Sequence, residues 1–384
     1  MNRDHRSYLG SPARRRLLRA GVGSLATLAA GGLFSQRAVE AKPIESPTAV
    51  PVVDRIAVRV VVDSYHHAFE RSGTFAGVQV QRLGFAVAPR TPPRYTLQNE
   101  WGLSLHIESV RGDETRQVLL DFGYTPEALL NNLMLTGIDA SKLDALALSH
   151  GHFDHFGGLA GFLLAHKGKL KPGLPFYVGS EETFCTRELN VPGEAGSFGA
   201  LDREAIRNAG LTVTFAERPS VIADHGFSTG RIATDTFERV LSPTRMSVGM
   251  VGAFGCSPER LPEAKRNLTL VPDDFEHEQA LAYHVRGRGL VVMTCCGHRG
   301  IVNSVRAAMR VASTDRVHAV LGGFHLAPHT IDYQRQTAAE LKKLNPDVII
   351  PMHCSGEAFI SIVQAEMPDK FIRSSTGTRF VFGA

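Results

Sequence analysis

The chain has 384 residues, of which 43% are hydrophobic and 21% are charged. This composition excludes a mostly disordered chain, a coiled coil and a collagen-like fibre, and the length favours one large core with insertions. The formal net charge is +4, but residues 1–41 hold seven arginines against two acidic residues, which leaves −1 for the remaining 343 residues. The basic character therefore belongs to the amino-terminal segment, and no nucleic-acid partner is expected.

Residues 1–41 have the organisation of a cleavable export signal. Arg14, Arg15 and Arg16 precede an uncharged run at residues 20–34, and small residues follow around Ala41. The run has 15 residues, which is shorter than the roughly 20 apolar residues that a membrane span needs. The arginines followed by two leucines resemble a bacterial twin-arginine signal. We therefore predict a periplasmic or secreted bacterial protein, exported by the twin-arginine machinery and without a stable membrane span after cleavage. A Sec-type signal and an uncleaved anchor are the alternatives.

After a proline-containing linker predicted at residues 42–54, strands and helices alternate. The first predicted elements are strands at 55–63, 103–109 and 116–121, a helix at 125–137, a strand at 143–149 and a helix at 159–166. The helix at 125–137 begins with Thr125 and Pro126 and ends at Gly137, which are typical residues for those positions. Alternating strands and helices predict an α/β fold.

The pattern loosens between residues 167 and 267, where only 175–179 and 212–216 are predicted as strands. A stretch of this length is too long for an ordinary connection, so we interpret it as an insertion that covers a site. The regular pattern then returns. The remaining predicted elements are strands at 280–285 and 290–294, a helix at 301–311, a strand at 317–321, a helix at 330–344 and strands at 348–351 and 380–382.

Five cysteines are spread widely along the chain, at positions 185, 256, 295, 296 and 354. Their number is odd and their spacing does not indicate a disulfide-rich scaffold. At least one must stay unpaired within the chain, even in an oxidising compartment. Cys295, Cys296 and Cys354 neighbour histidines in the sequence, so burial near a metal and disulfide formation are equally open for them.

The strongest functional signal is a cluster of four potential metal ligands, His150, His152, Asp154 and His155, at the end of the strand predicted at 143–149. Four ligands within six residues cannot face one direction in a strand or helix, but in a loop they can diverge toward two ions. Imidazole suits zinc, iron and copper, whereas a carboxylate favours harder ions and can hold a proton or water. The cluster predicts one or two divalent metal ions, with zinc favoured and manganese or iron as alternatives.

The segment 148–159 resembles the metal-binding signature of the metallo-β-lactamase superfamily, which implies a four-layer αββα sandwich at residues 55–384. The likeness extends to its dihydropterin synthase-like branch. Its matching pieces are 99–104 (NEWGLS), 121–123 (DFG), 228–232 (STGRI), 295–303 (CCGHRGIVN), 322–326 (GGFHL) and 351–356 (PMHCSG). Two positions depart from the branch, because Trp101 stands where it usually has His and Cys295 where it usually has Gly.

The resemblance implies roles for these residues. His150 and His152 would bind the first metal, and Asp154, His155 and His353 the second. Asp121 would orient the loop by hydrogen bonding.

A further ligand is expected from the loop after the strand at 290–294. His298 is the first choice, and Cys296 and Asp274 are the alternatives. His325 also follows a strand, and it is open as a metal ligand, as a proton donor or substrate contact, or as a packed loop residue.

These residues predict a metal-dependent hydrolase that uses metal-activated water on a small molecule with an ester, amide or phosphoester bond. Asp154 and His325 are the catalytic candidates, and His150, His152, Asp154, His155, His298 and His353 are the metal ligands. One alternative is a transferase of the dihydropterin and ribosylaminobenzene-phosphate synthase type, against which the predicted export argues. The other alternative is a non-catalytic metal-binding protein of the cell envelope.

Overall fold

A computed structural model describes residues 38–46, 49–84, 95–191, 193 and 196–383. The twin-arginine motif and the uncharged run lie outside these residues. Among the described residues, no helix has the length and apolarity needed to span a membrane.

Two large β-sheets form the centre of the fold. The first sheet has ten strands, in the spatial order β1-β12-β9-β8-β7-β6-β3-β23-β5-β4: β1 (Val39–Glu40), β3 (Arg55–Val62), β4 (Gly73–Phe75), β5 (Val78–Gln81), β6 (Ser104–Arg111), β7 (Glu114–Leu120), β8 (Ala145–Ala147), β9 (Pro175–Val178), β12 (Thr212–Phe215) and β23 (Arg379–Gly383). The second sheet has seven: β2 (Val52–Val53), β13 (Ser220–Ile222), β14 (Gly226–Ser228), β19 (Leu281–Val285), β20 (Gly289–Thr294), β21 (Val317–Gly323) and β22 (Val348–Met352).

Three buried clusters show how the layers stack. Side chains of both large sheets, such as Val58 and Leu105 from the first and Met293 and Leu321 from the second, share one core. Helices cover the two outer faces: α1 (Pro126–Thr136), α3 (Leu159–Ala165) and α4 (Arg203–Asn208) on the first sheet, and α6 (Ile301–Ala312), α7 (Ile331–Leu344) and α8 (Glu357–Glu366) on the second. The predicted α/β fold with four αββα layers is confirmed.

The predicted elements agree closely with the observed ones where the local signals are strong. Helix α1 begins after Thr125, whose side chain accepts a hydrogen bond from the Ala128 amide (3.3 Å), and ends at Gly137 in the left-handed conformation. Helix α8 and the strand pair β4 and β5 are not among the predicted elements. Strands β4 and β5 have three and four residues, too few to establish a period.

The segment 167–267 is divided between the core and smaller structures. Strands β9 and β12 belong to the first sheet, and β13 and β14 belong to the second. The smaller structures are a four-stranded sheet, a hairpin and the short helix α5 (Glu263–Arg266). The sheet consists of β10 (Thr186–Leu189), β11 (Ser197–Gly199), β15 (Thr244–Ser247) and, just beyond the segment, β18 (Leu270–Pro272), and the hairpin of β16 (Gly249–Val251) and β17 (Phe254–Cys256). Helix α2 (Phe153–Phe156) precedes the segment. This differs from the single insertion that the sequence predicts, because short buried strands give little periodicity.

The residues before the first long strand also join the sheets. Strand β1 pairs in parallel with β12, and the Ala41 amide donates to the Phe215 carbonyl (2.7 Å). Strand β2, within the predicted linker, pairs in parallel with β19. The region around the predicted cleavage position is therefore packed along sheet edges.

Candidate metal centre

The candidate ligands come together because several parallel strands end at the same edge of the two sheets. Strands β7 and β8 are parallel neighbours in the first sheet, and β20, β21 and β22 are parallel neighbours in the second. Carboxyl ends of parallel strands lie side by side. The loops that follow β8, β20, β21 and β22 carry residues 150–155, His298, His325 and His353.

The first group of donors consists of three histidines. His150, His152 and His298 each offer a nitrogen within 4.8 Å of the other two, and their ring centroids are 4.8–4.9 Å apart. His150 and His298 are buried, and His152 is half-buried. Three imidazoles converging in this way form one face of a metal site.

Two of these rings each have one nitrogen near a hydroxyl group of a surrounding residue. The second nitrogen of each ring is then left for the metal centre. His150 Nδ1 lies 2.9 Å from Ser149 Oγ, and His152 Nε2 lies 2.9 Å from Thr244 Oγ1. His150 Nε2 and both nitrogens of His298 are buried with no hydrogen-bond partner among the described residues. Buried polar atoms are ordinarily paired, so these free nitrogens point to a ligand held between them.

The protonation of this group suits metal binding. Burial lowers the pKa of His150 and of His298 well below the ordinary value, and the neighbouring imidazoles add to the effect. Burial also lowers the pKa of His152 to about 3, against the opposing influence of Asp273 and Asp154. Neutral imidazole is the form that binds a metal, and these three rings hold it at neutral pH.

The second group consists of Asp154, His155 and His353. Asp154 Oδ2 lies 3.2 Å from His353 Nε2 and 3.5 Å from His155 Nε2. Burial acts to raise the pKa of Asp154, but His155 and His353 outweigh it and hold that pKa well below its usual range. The carboxylate is therefore ionised. Burial acts to lower the pKa of His155, but Asp154 and Asp121 outweigh it and raise that pKa to about 10.

Asp121 and Asp63 support the second group from outside. Asp121 accepts hydrogen bonds from the Ser149 amide and hydroxyl (both 2.7 Å) and lies 2.6 Å from His155 Nδ1. Asp63 accepts the His353 amide at 2.9 Å. The sequence analysis gave Asp121 this orienting position, whereas Asp63 had no signal because it contacts His353 only through the fold.

Backbone conformation at the strand ends is also unusual. Asp121, His325 and His353 have φ values of 59°, 47° and 48°, in the left-handed region that non-glycine residues seldom adopt. Such conformations persist only where surrounding contacts fix them. Here they turn three polar side chains toward one edge, which no local sequence pattern predicts.

His325 lies at the border between the donors and an adjoining cavity. Its ring centroid is 3.9 Å from that of His298, and its Nδ1 has no partner among the described residues. The Cys354 sulfur lies 3.3 Å from its backbone amide. This position is compatible with a metal contact and with a contact to a substrate.

The cavity beside the donors has a volume of about 340 Å³. Trp101, Tyr124, Phe153 and Phe198 form aromatic walls, and Leu189 and Pro243 add aliphatic surface. Its floor comes from the metal centre, through residues His152, Asp154, Cys296, His325, His353 and Cys354. Among the described lining residues there is no lysine and no arginine.

A buried ionic network supports His152 from the segment 167–267. Thr244 Oγ1 donates to Asp273 Oδ2 (3.1 Å), and Arg187 Nε donates to the same oxygen (3.1 Å). Arg187 Nη2 also lies 2.9 Å from His277 Nε2. The sequence pattern assigns no role to these four residues, because they meet only in the folded chain.

The other candidate ligands, Asp274 and the cysteines, differ in whether they lie near the histidines. The Asp274 carboxylate pairs with Lys265 Nζ at 2.8 Å, which occupies it away from the histidines. Cys296 is buried among the donors, with its sulfur 3.2 Å from His155 Nε2. Cys185 and Cys256 form a disulfide, and Cys295, Cys296 and Cys354 are free and buried.

The donor set fits divalent metal ions. Nitrogen atoms of six histidines, including His325, lie near a carboxylate and a buried sulfur, and several of these nitrogens lack partners among the described residues. Imidazole with carboxylate or thiolate is the combination that binds zinc and related transition ions. Two groups that share one centre could hold one or two ions.

Comparison with known proteins agrees with this geometry. Residues 109–172 match the family model described as the metallo-beta-lactamase superfamily. A solved structure described as a metal-dependent hydrolase of the beta-lactamase superfamily superposes with a TM-score of 0.60 and 23% identity, covering 84% of this chain and 98% of the other. The protein has the metallo-β-lactamase fold. Divalent-metal binding at the strand ends follows from this fold together with the donor set.

Two proteins of Methanocaldococcus jannaschii are similar in sequence to this metallo-β-lactamase-fold chain. One is a 7,8-dihydropterin-6-methyl-4-(beta-D-ribofuranosyl)-aminobenzene-5'-phosphate synthase, 27% identical over 282 residues, which are 73% of this chain and 89% of the synthase. The other, an uncharacterised protein, is 24% identical over 271 residues, which are 68% of this chain and 87% of that protein. The similarity to the synthase agrees with the branch that the sequence motifs resemble.

Proposed function

We propose that this protein is a metal-dependent hydrolase of small, largely uncharged molecules. One observation carries the proposal: an aromatic-walled cavity is lined by His152, Asp154, His325 and His353 of the donor cluster. In the same cluster, imidazole nitrogens of His150, His298 and His325 have no partner among the described residues. A non-catalytic metal-binding site has no need of such a cavity, whereas an enzyme needs room for substrate beside the metal.

The bound metal would polarise the scissile carbonyl and lower the pKa of water toward neutrality. The side chains of the chain have separate tasks. His150, His152 and His298 would hold one ion, and Asp154, His155 and His353 would hold a second where two bind. Asp154 is ionised and lines the cavity, so it would also orient the attacking water by accepting a hydrogen bond from it.

His325 acts on the substrate side in this proposal. It lines the cavity, and its Nδ1 has no protein partner among the described residues. A proton donor must reach the leaving group of the bound substrate, and this ring borders both the donors and the cavity. Its ring packs against that of His298 at an interplanar angle of 45°.

The cavity favours an ester or amide with an apolar or aromatic group. Trp101, Tyr124, Phe153 and Phe198 offer ring faces and edges to such a group. A phosphorylated substrate would call for lysine or arginine side chains near the phosphate, and the described lining residues include neither. Of the three proposed substrate classes, phosphoesters are therefore the least favoured.

The second candidate function is a transferase of the synthase type. The 27% identity to the Methanocaldococcus jannaschii synthase favours it. The lack of cationic side chains in the described cavity lining opposes it, because that protein's product carries a phosphate according to its name. The two functions differ in whether water or another molecule accepts the transferred group.

Product analysis in isotopically labelled water tests this choice. The metal-loaded protein would be screened against aryl esters, alkyl esters, amides, lactones and phosphoesters, and the products analysed by mass spectrometry. We expect turnover of apolar esters or amides with one labelled oxygen in the product. Group transfer to an added pterin or other acceptor, without label, would replace the hydrolase proposal by the transferase.

Export by the twin-arginine machinery is a further part of the proposal. It rests on Arg14, Arg15 and Arg16 in the sequence, and the Cys185–Cys256 disulfide supports it, since such bonds persist mainly in oxidising compartments. Changing Arg14→Lys and Arg15→Lys together should leave the precursor in the cytoplasm. Normal periplasmic appearance of the double variant would indicate another export mechanism.

A further inference from the structure

Two free cysteines face the metal centre and belong to neither group of proposed ligands. Cys296 and Cys354 are each 2% exposed, and both line the cavity. Their sulfur atoms are 3.2 Å apart, with the Cys354 thiol donating to the sulfur of Cys296. The third free cysteine, Cys295, is buried in the core between the sheets and is not among the cavity residues. Its sulfur lies within 4.8 Å of donor atoms of Asp121 and His155, so a variant of Cys295 also tests whether this sulfur is the metal ligand.

Cys296 lies between the two groups of donors. Its sulfur is within 4.8 Å of nitrogens of both His150 and His155, which belong to different groups. It is also within that distance of donor atoms of His298 and His325, and of His353 and Cys354. An atom that reaches donors of both groups occupies the position where a single ligand can contact two ions.

The surrounding backbone fixes this sulfur. Cys296 is the second residue after β20 and precedes Gly297, whose φ of 71° lies in the left-handed region and allows a tight turn. The Glu278 carboxylate then accepts the amides of His298 and Arg299 at 2.9 and 2.7 Å. These contacts hold the turn in one conformation and with it the sulfur that precedes it.

The Cys354 sulfur packs closely against Gly323. A Cβ atom at Gly323 would lie 2.9 Å from the Cys354 sulfur and 2.0 Å from the Cys295 carbonyl oxygen. Any larger residue at position 323 would therefore displace Cys354 or the turn that carries Cys296. The glycine lets strand β21 pass close to both cysteines.

We propose that Cys296 is a thiolate ligand shared by the two metal positions, with Cys354 as a positioning residue that hydrogen-bonds to it. This inference rests on the metal centre of the proposed function and adds a sulfur donor to it. On binding, the Cys296 thiol loses its proton to solvent and the sulfur donates an electron pair to the metal. Since thiolate prefers softer ions, the site should select zinc or cobalt over manganese.

Cobalt(II) spectroscopy tests the sulfur ligand without measuring activity. Reduced, metal-free protein would be titrated with cobalt(II), and a sulfur-to-cobalt charge-transfer band in the near ultraviolet is expected. Cys296→Ser should lose this band and retain the visible bands of cobalt bound by histidine. The matched control is Cys295→Ser, which removes the adjacent buried thiol and should leave the charge-transfer band unchanged.

Cys354→Ser distinguishes the two cavity cysteines. We expect it to shift the energy of the band but not to remove it, because the variant loses a hydrogen bond to the ligand and not the ligand itself. If the band survives in Cys296→Ser and disappears in Cys354→Ser, the assignment of the ligand is wrong. A cobalt-loaded wild type without any charge-transfer band would also overturn the proposal.

X-ray absorption of the zinc-loaded wild type keeps the proposal testable if Cys296→Ser fails to fold. A sulfur shell at about 2.3 Å, distinct from nitrogen at about 2.0–2.1 Å, is expected around zinc. A spectrum with light atoms alone would exclude the thiolate. Sulfur ligation without hydrolysis of any tested substrate would refute the proposed function only, and hydrolysis without sulfur scattering would refute this inference only.

Discussion

The loop at residues 150–155 contains His152, and the segment 167–267 contacts His152 from outside. The two regions differ in how far their role can be recognised from the sequence. The loop carries four polar donors within six residues, directly after a buried strand. The segment contributes Thr244 and Arg187, which are 57 positions apart in numbering and meet at Asp273. Ligands in one loop can be recognised from their spacing, whereas a network assembled from distant strands becomes visible only after folding.

The largest expected effect comes from removing a donor of the loop. His152→Ala should lose metal and turnover together, with turnover falling about a thousandfold or more, because a bound ion supplies several kcal/mol of charge stabilisation. Elemental analysis and circular dichroism would be measured on the same sample, with His166→Ala as the control outside the site. Full metal content in His152→Ala would contradict the ligand assignment.

The next largest effect is expected from removing the negative charge of Asp154 without changing the shape of its side chain. Asp154→Asn keeps nearly the same volume but removes the negative charge that faces His155 and His353. Turnover should fall about a hundredfold or more, with a smaller change in KM. An unchanged kcat on a confirmed substrate would remove Asp154 from the chemical step.

A smaller effect is expected from the support that the segment provides. Thr244→Val removes the hydroxyl that holds His152 Nε2 at 2.9 Å. Metal affinity should fall about tenfold, near the lower end of the effect of losing a residue that orients a ligand. Ser247→Ala on the same strand is the control, since its hydroxyl bonds Glu188 instead. Equal affinities of the two variants would mean that the segment does not tune the metal site.

The smallest expected effect is on stability, at a contact between the segment 167–267 and the start of helix α6. Glu238 is buried and accepts the Val302 and Asn303 amides at the start of α6. Burial raises its pKa from 4.5 to about 7. Its folded state therefore favours the protonated form, and its contribution to stability is lost as pH rises from about 4.5 through 7.

Glu238→Gln should remove this dependence. As the pH rises from about 4.5 to 7, the wild type should lose stability relative to the variant. The difference in their free energies of unfolding should change by up to about 3 kcal/mol in favour of the variant. Denaturant unfolding at several pH values measures the difference, and the exposed Glu263→Gln serves as control. Parallel pH profiles for wild type and Glu238→Gln would contradict the assignment.

Much of the fold follows from local patterns. The capping residues of α1 and the apolar runs of β3, β20 and β22 are predicted within two residues of their observed limits. The four-layer arrangement was expected from the family resemblance and is confirmed. The strands of the segment 167–267 were largely missed, because strands of three or four residues that exchange between sheets leave no period to detect.

The candidate site shows the same division. The spacing of His150, His152, Asp154 and His155 predicts a metal centre by itself, since four donors in one loop must lie close together. The sequence alone does not determine which of 16 histidines complete it, although the resemblance suggested His298 and His353. That choice depends on parallel strands whose carboxyl ends meet.

The sequence by itself therefore determined the α/β alternation, the metal-binding loop and the separation of a basic leader from a nearly neutral domain. The tertiary structure decided which nitrogen of His152, His155 and His353 faces inward, because Thr244, Asp121 and Ser64 contact the opposite nitrogens. It also decided that Cys296 lies between both groups of donors. These features depend on contacts between residues distant in the chain, and such contacts have no local periodicity from which they could be predicted.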